Sequence, residues 1–568
     1  MPMPPFSTLP FAAMASLVAL LHTAASAQTP PDAGRLLEET RQPLRPALPP
    51  ANAPRVLEAP VRPTVNLAEG ATVAVSEFRI TGAVSFPAAQ LAALVKPWQG
   101  KRLDLNGLNE AAGVLTRFYQ SNGHLLTYAY VPAQRVADGV IELAVLEGRL
   151  DSVQTVTAQD VRLRDEVIQA HTDRLATATT GDNQRPVLQA EVERQLLLLN
   201  DIPGVTARAA FTPGASIGGA DLVVSVAEDD PLDVRLELNN HGSRSTGEYR
   251  AGVGLQLRDL FGWGDSSQAR ALVSNKGGLV SGSLGTTVPV GGDGFRLGAS
   301  LSRLTYQLAG SFRSLGAVGQ ASTLGVDASY PFLRTADANL SVKAALQAKR
   351  LLDEIQLVGS SNPKRNNLFE LTVSFDQRDG FGGVSAGNAV ASMGALSFRN
   401  DERREQDASG LRTGRTYRKV GGQFVRQQAL SGPYSLVLRA AGQATGGNLD
   451  SSEKFALAGP GAVRAYAPGE ASVDQGGLLS LEARYAQDYL GGNIVWGLFH
   501  ERAEGAVNRR PLVAAGNDAR LSGTGLSVQW TGGDIALSAS LAWRGKRVPT
   551  AEGGDAQPRV YLQMVVTP

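Results

Sequence analysis

The sequence predicts a mainly β fold: a 16-stranded transmembrane β-barrel preceded by two small α+β modules. Three observations carry that reading. After Pro231 the apolar residues alternate with period two for more than 300 residues, and helical periodicity stops. Before Pro231, strand patterns and amphipathic helices follow one another twice in the same order. Outside the N-terminus, no window approaches the ~18 consecutive apolar residues of a membrane helix. Stripes with one apolar and one polar or small face also suit a soluble sandwich. Their length of about nine to eleven residues and their even number favour closure in a bilayer.

Composition narrows the function. The 568 residues carry 54 basic and 53 acidic side chains, which sets aside a basic nucleic-acid binder. The absence of cysteine removes disulfides, thiolate metal sites and Cys nucleophiles. His22, His124, His171, His241 and His500 have no metal-ligand spacing. Gly-x-Ser-x-Gly occurs at 214–218 and 383–387, but in strand connections rather than on a strand–turn–helix elbow. Gly545-Lys546 is followed by Arg547, so no phosphate-cradling loop exists there. No catalytic residue, metal or cofactor is implied.

Each segment has its own signature. Phe11–Leu21 is a short apolar run, and small residues at Ala25 and Ala27 mark an export signal, residues 1–27, cleaved before Gln28. Asp32–Gln42 reads as one short helix within residues 28–43, too short to stand alone in water. Residues 44–73 are a Pro-rich extended linker. The first module, 74–150, has a strand at Val75–Thr81 and helices at Ala88–Val95 and Leu105–Ser121. Strands at Leu126–Pro132 and Val140–Glu147 complete it. The second, 151–230, has a strand at Val153–Val156, a helix at Val187–Asn200, and strands at Val205–Phe211 and Leu222–Val226. Residues 231–568 form the barrel, with tight turns at 262–265 and 291–294 and a long connection from Ala444 to Gln475.

This order resembles the outer-membrane transporters of two-partner secretion (haemolysin secretion/activation, TpsB type) in the Omp85 superfamily, and the modules look like POTRA domains. Tyr119, Gly123, Pro132, Gln134, Gly139, Glu147 and Gly148 match the family pattern in the first module, and Asn240, Gly242, Thr246, Gly247 and Arg250 match the first barrel hairpin. Val463-Arg464-Ala465-Tyr466 is similar to the superfamily's VRGY motif at the tip of loop six, with Ala465 replacing the usual Gly. Phe499-His500-Glu501 is similar to the Phe-x-Asp motif on the barrel wall, with Glu replacing Asp. The chain ends in Thr567-Pro568 rather than in the aromatic residue common in outer-membrane barrels.

The resemblance implies a Gram-negative outer-membrane pore with periplasmic POTRA domains. Its partners would be a secreted β-helical exoprotein with an N-terminal secretion domain, outer-membrane lipid and the barrel assembly machinery. The helix with Leu36, Leu37, Glu38 and Arg41 would plug the pore, and Arg464 would pair with Glu501. Substrate would be captured by strand addition at the edges Leu126–Pro132 and Leu222–Val226, through Tyr119, Leu126, Tyr128, Pro132, Leu222 and Val224. Arg250, Gln256, Arg258 and Arg439 would line the lumen. An assembly factor that inserts other barrels, and a passive porin, are the alternatives.

Overall fold

The computed structural model describes residues 30–40, 57–58, 72–179, 185–216, 218–545 and 557–568. The export signal, Arg41 and most of the predicted linker lie outside the described residues.

The first module packs the helices Ala88–Val95 and Leu105–Ser121 on a three-stranded sheet. Asp104 caps the longer helix by accepting from Gly107 N at 2.8 Å. Leu91, Leu108, Leu115, Ile141 and Leu143 fill the core. The sheet order is Glu77–Thr81, Val140–Leu146, Tyr128–Tyr130, the first pair parallel and the second antiparallel. Glu147 accepts from Val84 N, Ser85 N and Tyr119 OH, each at 2.8 Å. Burial opposes its ionisation, but those bonds and the Ser85 hydroxyl hold its carboxyl below the usual range.

The strand expected over Leu126–Pro132 shrinks to Tyr128–Tyr130. Leu126 instead turns into the junction between the modules, packed with Leu150 and Val187. Gly148 makes that turn possible, since a Cβ there would fall 2.6 Å from Leu126 O. Pro132 lies beyond the strand.

The second module has the strand Arg149–Thr157, the helices Asp165–Thr179 and Gln189–Asn200, and the strands Val205–Pro213 and Gly219–Glu228. The helix Asp165–Thr179 has no counterpart in the sequence reading. Its apolar positions, including Ile168 and Leu175, are diluted by His171, Thr172 and four charged residues. In its sheet, Leu57–Glu58 lies parallel on Val205–Pro213, then Gly219–Glu228, then Arg149–Thr157. Leu222 and Val224 are therefore on a central strand and fully buried, not on an edge. Two flanking strands consume the backbone groups that strand addition needs.

Sixteen antiparallel strands, from Leu232–Asn239 to Arg559–Val566, form a closed barrel. It shuts through the pairs Leu236↔Val566 to Asn239↔Gln563. Strands opposite the seam are longer than expected, up to the 19 residues of Ser360–Arg378, and overreach a bilayer. Leu301, Leu324, Leu346, Leu498 and Leu526 are more than half exposed on the outer wall, as a lipid-facing band requires.

The second module is clamped to the turns at one end of the barrel. Arg334 grips Asp201 with two bonds of 2.7 and 2.8 Å, and Arg296 donates to Asp201 O at 2.7 Å. Arg164 stacks 4.2 Å over Trp263. His171, buried beside this contact, bonds Gln195 Oε1 at 3.2 Å, and its Nε2 has no hydrogen-bond partner. Burial lowers its pKa below the ordinary 6.5, with Arg174 and Arg296 acting the same way and Gln195 and Asp293 opposing. The folded module thus resists a proton that the unfolded chain accepts. Its stability is full above pH 6.5 and falls as the pH drops through that value. Hydrogen exchange of Asp165–Thr179, corrected for intrinsic rates, should accelerate by up to about tenfold per pH unit below that point. His171→Asn should flatten the response.

Candidate functional site

The barrel lumen is filled by two pieces of the chain. The first is the helix Ala33–Thr40, whose eight residues could not persist in water alone. Asp32 caps it, accepting from Arg35 N at 2.9 Å. Leu36 is fully buried against Leu279, Leu304, Tyr306 and Leu351 of the wall, and Leu37 packs beside it. Ala33 N donates to Asp353 Oδ1 at 2.7 Å. Glu38 lies 3.9 Å from Lys349, and Glu39 lies 3.8 Å from Arg250. A cavity of about 540 Å³ remains between this helix and the wall, lined by Glu38, Arg235, Glu237, Gln256 and Arg270 among others.

The second piece is the long connection after Thr445. Near its start, Glu453 is buried between Lys349 at 2.7 Å and Lys419 at 2.8 Å, and Asp450 meets Lys364 at 2.8 Å. These lysines hold the Glu453 carboxyl down at about 2 although burial alone would raise it. The helix rests directly on this turn. Ser451 Oγ donates to Asp32 Oδ2 at 2.6 Å, and a Cβ on Gly34 would fall 2.7 Å from Ser452 N.

At the far tip, Arg464 is held twice by Glu501: its backbone N and its Nε each donate at 2.7 Å. Another guanidinium nitrogen reaches Glu482 at 2.9 Å, and the guanidinium carbon stands 3.4 Å from the Phe499 ring centroid. Val463, Ala465 and Tyr466 are buried with Phe499. Ala465 is not among the residues with positive φ, so its methyl costs no backbone strain. Gly523 gives the methyl room: a Cβ there would sit 2.7 Å from that of Ala465.

Sequence reasoning missed Arg544 and Tyr561 as members of this site and gave Glu482 no role as a partner of Arg464. Arg544 Nε donates to Ala465 O at 2.9 Å, and Tyr561 OH to Tyr466 O at 2.7 Å. The available signal was alternation. Glu482 shares the inward face with Ser480 and Arg484 in a strand whose other face is Leu479, Leu481 and Ala483.

In the first module, Tyr119 is fully buried and bonds Glu147, so it supports the fold rather than presenting a surface. Tyr128 and Tyr130 lie on one of the two outer strands of the sheet, their ring centroids 5.8 Å apart. Between them, Ala129 N donates to Thr116 Oγ1 at 2.9 Å across the groove between strand and helix.

Arg464→Ala should strand a buried carboxylate at Glu501, at a cost of about 3–5 kcal/mol. The temperature at which the folded barrel loses its faster gel migration should fall accordingly. Unchanged melting would show that the contact does not hold the tip.

Comparison with known proteins places this architecture. Residues 218–498 match the family model "Haemolysin secretion/activation protein ShlB/FhaC/HecB", and residues 73–148 match "POTRA domain, ShlB-type". The chain is 26% identical over 462 residues to the heme/hemopexin transporter protein HuxB of Haemophilus influenzae, covering 80% of each chain. The solved CdiB from Escherichia coli shares the fold, with a TM-score of 0.68 and 18% identity over 99% of this chain and 100% of that one. BamA from Haemophilus ducreyi lacking POTRA domains 1–3 shares it too, with a TM-score of 0.51 and 15% identity over 87% of this chain and 99% of that one. The chain belongs to the haemolysin secretion/activation family, the outer-membrane transporters of two-partner secretion, with its POTRA modules in the periplasm.

Proposed function

We propose that this transporter captures an unfolded exoprotein on its first POTRA module and passes it through the barrel once the helix Ala33–Thr40 leaves. The observation that carries this is the filling of the lumen by removable chain rather than by wall side chains. The exported partner is a β-helical exoprotein with an N-terminal secretion domain. Outer-membrane lipid surrounds the apolar band, and the barrel assembly machinery inserts the chain.

The entry edge follows from backbone accounting. Tyr128–Tyr130 is an outer strand of the first sheet, and the outward N–H of Ala129 is taken by the Thr116 hydroxyl. An arriving strand exchanges that side-chain bond for a ladder bond, a near-neutral trade that needs no particular sequence. On the second module the corresponding edge, Val205–Pro213, carries Leu57–Glu58 of the chain's own linker. A substrate strand arriving there displaces the segment that leads to the plug.

Two outcomes test this. Deleting residues 33–40, or replacing Gly34 by Leu so that its side chain meets Ser451 and Ser452, should raise single-channel conductance in planar bilayers. Equal conductance would remove the plug role. Ala129→Pro deletes the outward donor on an edge strand, where proline is tolerated. It should lower secretion of a co-expressed cognate exoprotein at least tenfold in culture medium, while heat-modifiable migration stays intact.

A further inference from the structure

The outer wall carries a cationic patch that translocation does not use. Lys349 and Lys364 point into the lumen, bonded to Glu453 and Asp450. Strand alternation therefore sends Arg350 and Arg365 outward, and both are exposed. They stand directly opposite each other in register, and the row continues to Ser322 on one side and Ser397 on the other. Arg399 is also exposed, bonds Pro363 O through its backbone N at 2.9 Å, and acts electrostatically on Arg365. None of these arginines has an ion-pair partner among the described residues. Like charges facing each other across a strand pair are destabilising. The patch calls for an anion from outside the chain.

Its height identifies the source. Arg350 lies about twelve residues up its strand from the periplasmic end at Ala338, roughly 30 Å at ~3.3 Å per residue and a ~40° tilt. That is the extracellular edge of a hydrocarbon layer about 25 Å thick. Four residues nearer the periplasm on the same faces stand Leu346, Phe369 and Met393, all exposed. The periplasmic edge differs: there Phe332, Tyr434 and Tyr489 form an aromatic girdle.

We propose that Arg350, Arg365 and Arg399 bind the phosphorylated headgroup of a glycolipid in the outer leaflet, whose acyl chains lie along Leu346, Phe369 and Met393. Guanidinium forks match phosphate oxygens bidentately. Ser322 and Ser397 supply hydroxyl donors at the ends of the row. An acidic polypeptide would satisfy the cations but leave the adjoining apolar surface without a partner. The same two strands carry Lys349 and Lys364 on their inner face, so the bound lipid braces the wall behind the loop and the plug.

The test uses the full chain purified in detergent, with bisphosphorylated lipid A as probe and native mass spectrometry as readout. Arg350→Ser/Arg365→Ser should bind lipid A about thirtyfold more weakly than the unaltered chain, the loss expected for two cations at an anionic surface. Heat-modifiable migration shows that this variant is folded. Lipid A stripped of both phosphates should bind the unaltered chain comparably weakly, an arm that needs no substitution. Equal binding by the variant, or by the dephosphorylated lipid, would overturn the proposal. So would displacement of lipid A by polyglutamate at matched charge.

Discussion

The filled lumen depends on charge compensation among buried groups. The wall contributes Lys349, Lys364 and Lys419 at one level and Glu482 and Glu501 at another, all largely buried. An unpaired ion there costs several kcal/mol, so the wall cannot close without opposite charges supplied from within. One loop supplies both sets, Asp450 and Glu453 near its start and Arg464 at its tip. The arrangement is strong only while dry. When water enters, each ion is solvated again, and both the penalty and the attraction shrink together. A pore locked by buried ion pairs can therefore open without paying the Coulomb energy that closed it.

The modules extend the same logic to the periplasm. Asp201 ends a module helix and takes Arg334 and Arg296 from two different barrel turns. Close approach does the rest: a Cβ on Gly264 would fall 3.0 Å from Ile202 Cγ2. Fixed in this way, the second module holds its strand edge in one orientation beneath the pore. The first module is joined through Leu126, buried in its neighbour's core, and through Gln189 N donating to Gly123 O at 2.8 Å. A receptor edge on a fixed mount spares an incoming chain the search over orientations that a loose tether would impose.

Much of this was legible in the sequence, for identifiable reasons. Period-two stripes such as Ile535–Trp543 state their two environments residue by residue, so the barrel was readable. Val463–Tyr466 and Phe499–Glu501 were readable as motifs, and the structure sets Arg464 and Glu501 at 2.7 Å. Sheet order was not readable. Nothing local in Leu222–Val226 distinguishes a central strand from an edge, because that depends on where Arg149–Thr157 and Leu57–Glu58 pair. The role of Glu482 was hidden for a related reason: it exists only once the neighbouring strand brings Arg439 and the folded-back loop brings Arg464 to the Glu482–Arg484 pair.

If the helix is the proposed plug, the geometry favours its leaving before the loop tip. The loop tip is held at 2.7–2.9 Å by Glu501 and Glu482 and by the donors Arg544 and Tyr561. The helix reaches Lys349, Lys364 and Arg250 only at 3.8–3.9 Å, beyond hydrogen-bond range. Its short bonds are few, chiefly Ala33 N to Asp353 and Ser451 to Asp32, and they cluster at its N-terminal end. The helix thus combines short bonds at one end with the packing of Leu36 and Leu37 and longer-range charge attraction, whereas the tip is bonded on several sides at once. On the proposed plug role, departure of the helix would uncover Asp353 and the cavity beside Glu38 while leaving Arg464 seated. The first opening is then a widened but still constricted channel, suited to an extended chain rather than to a folded one.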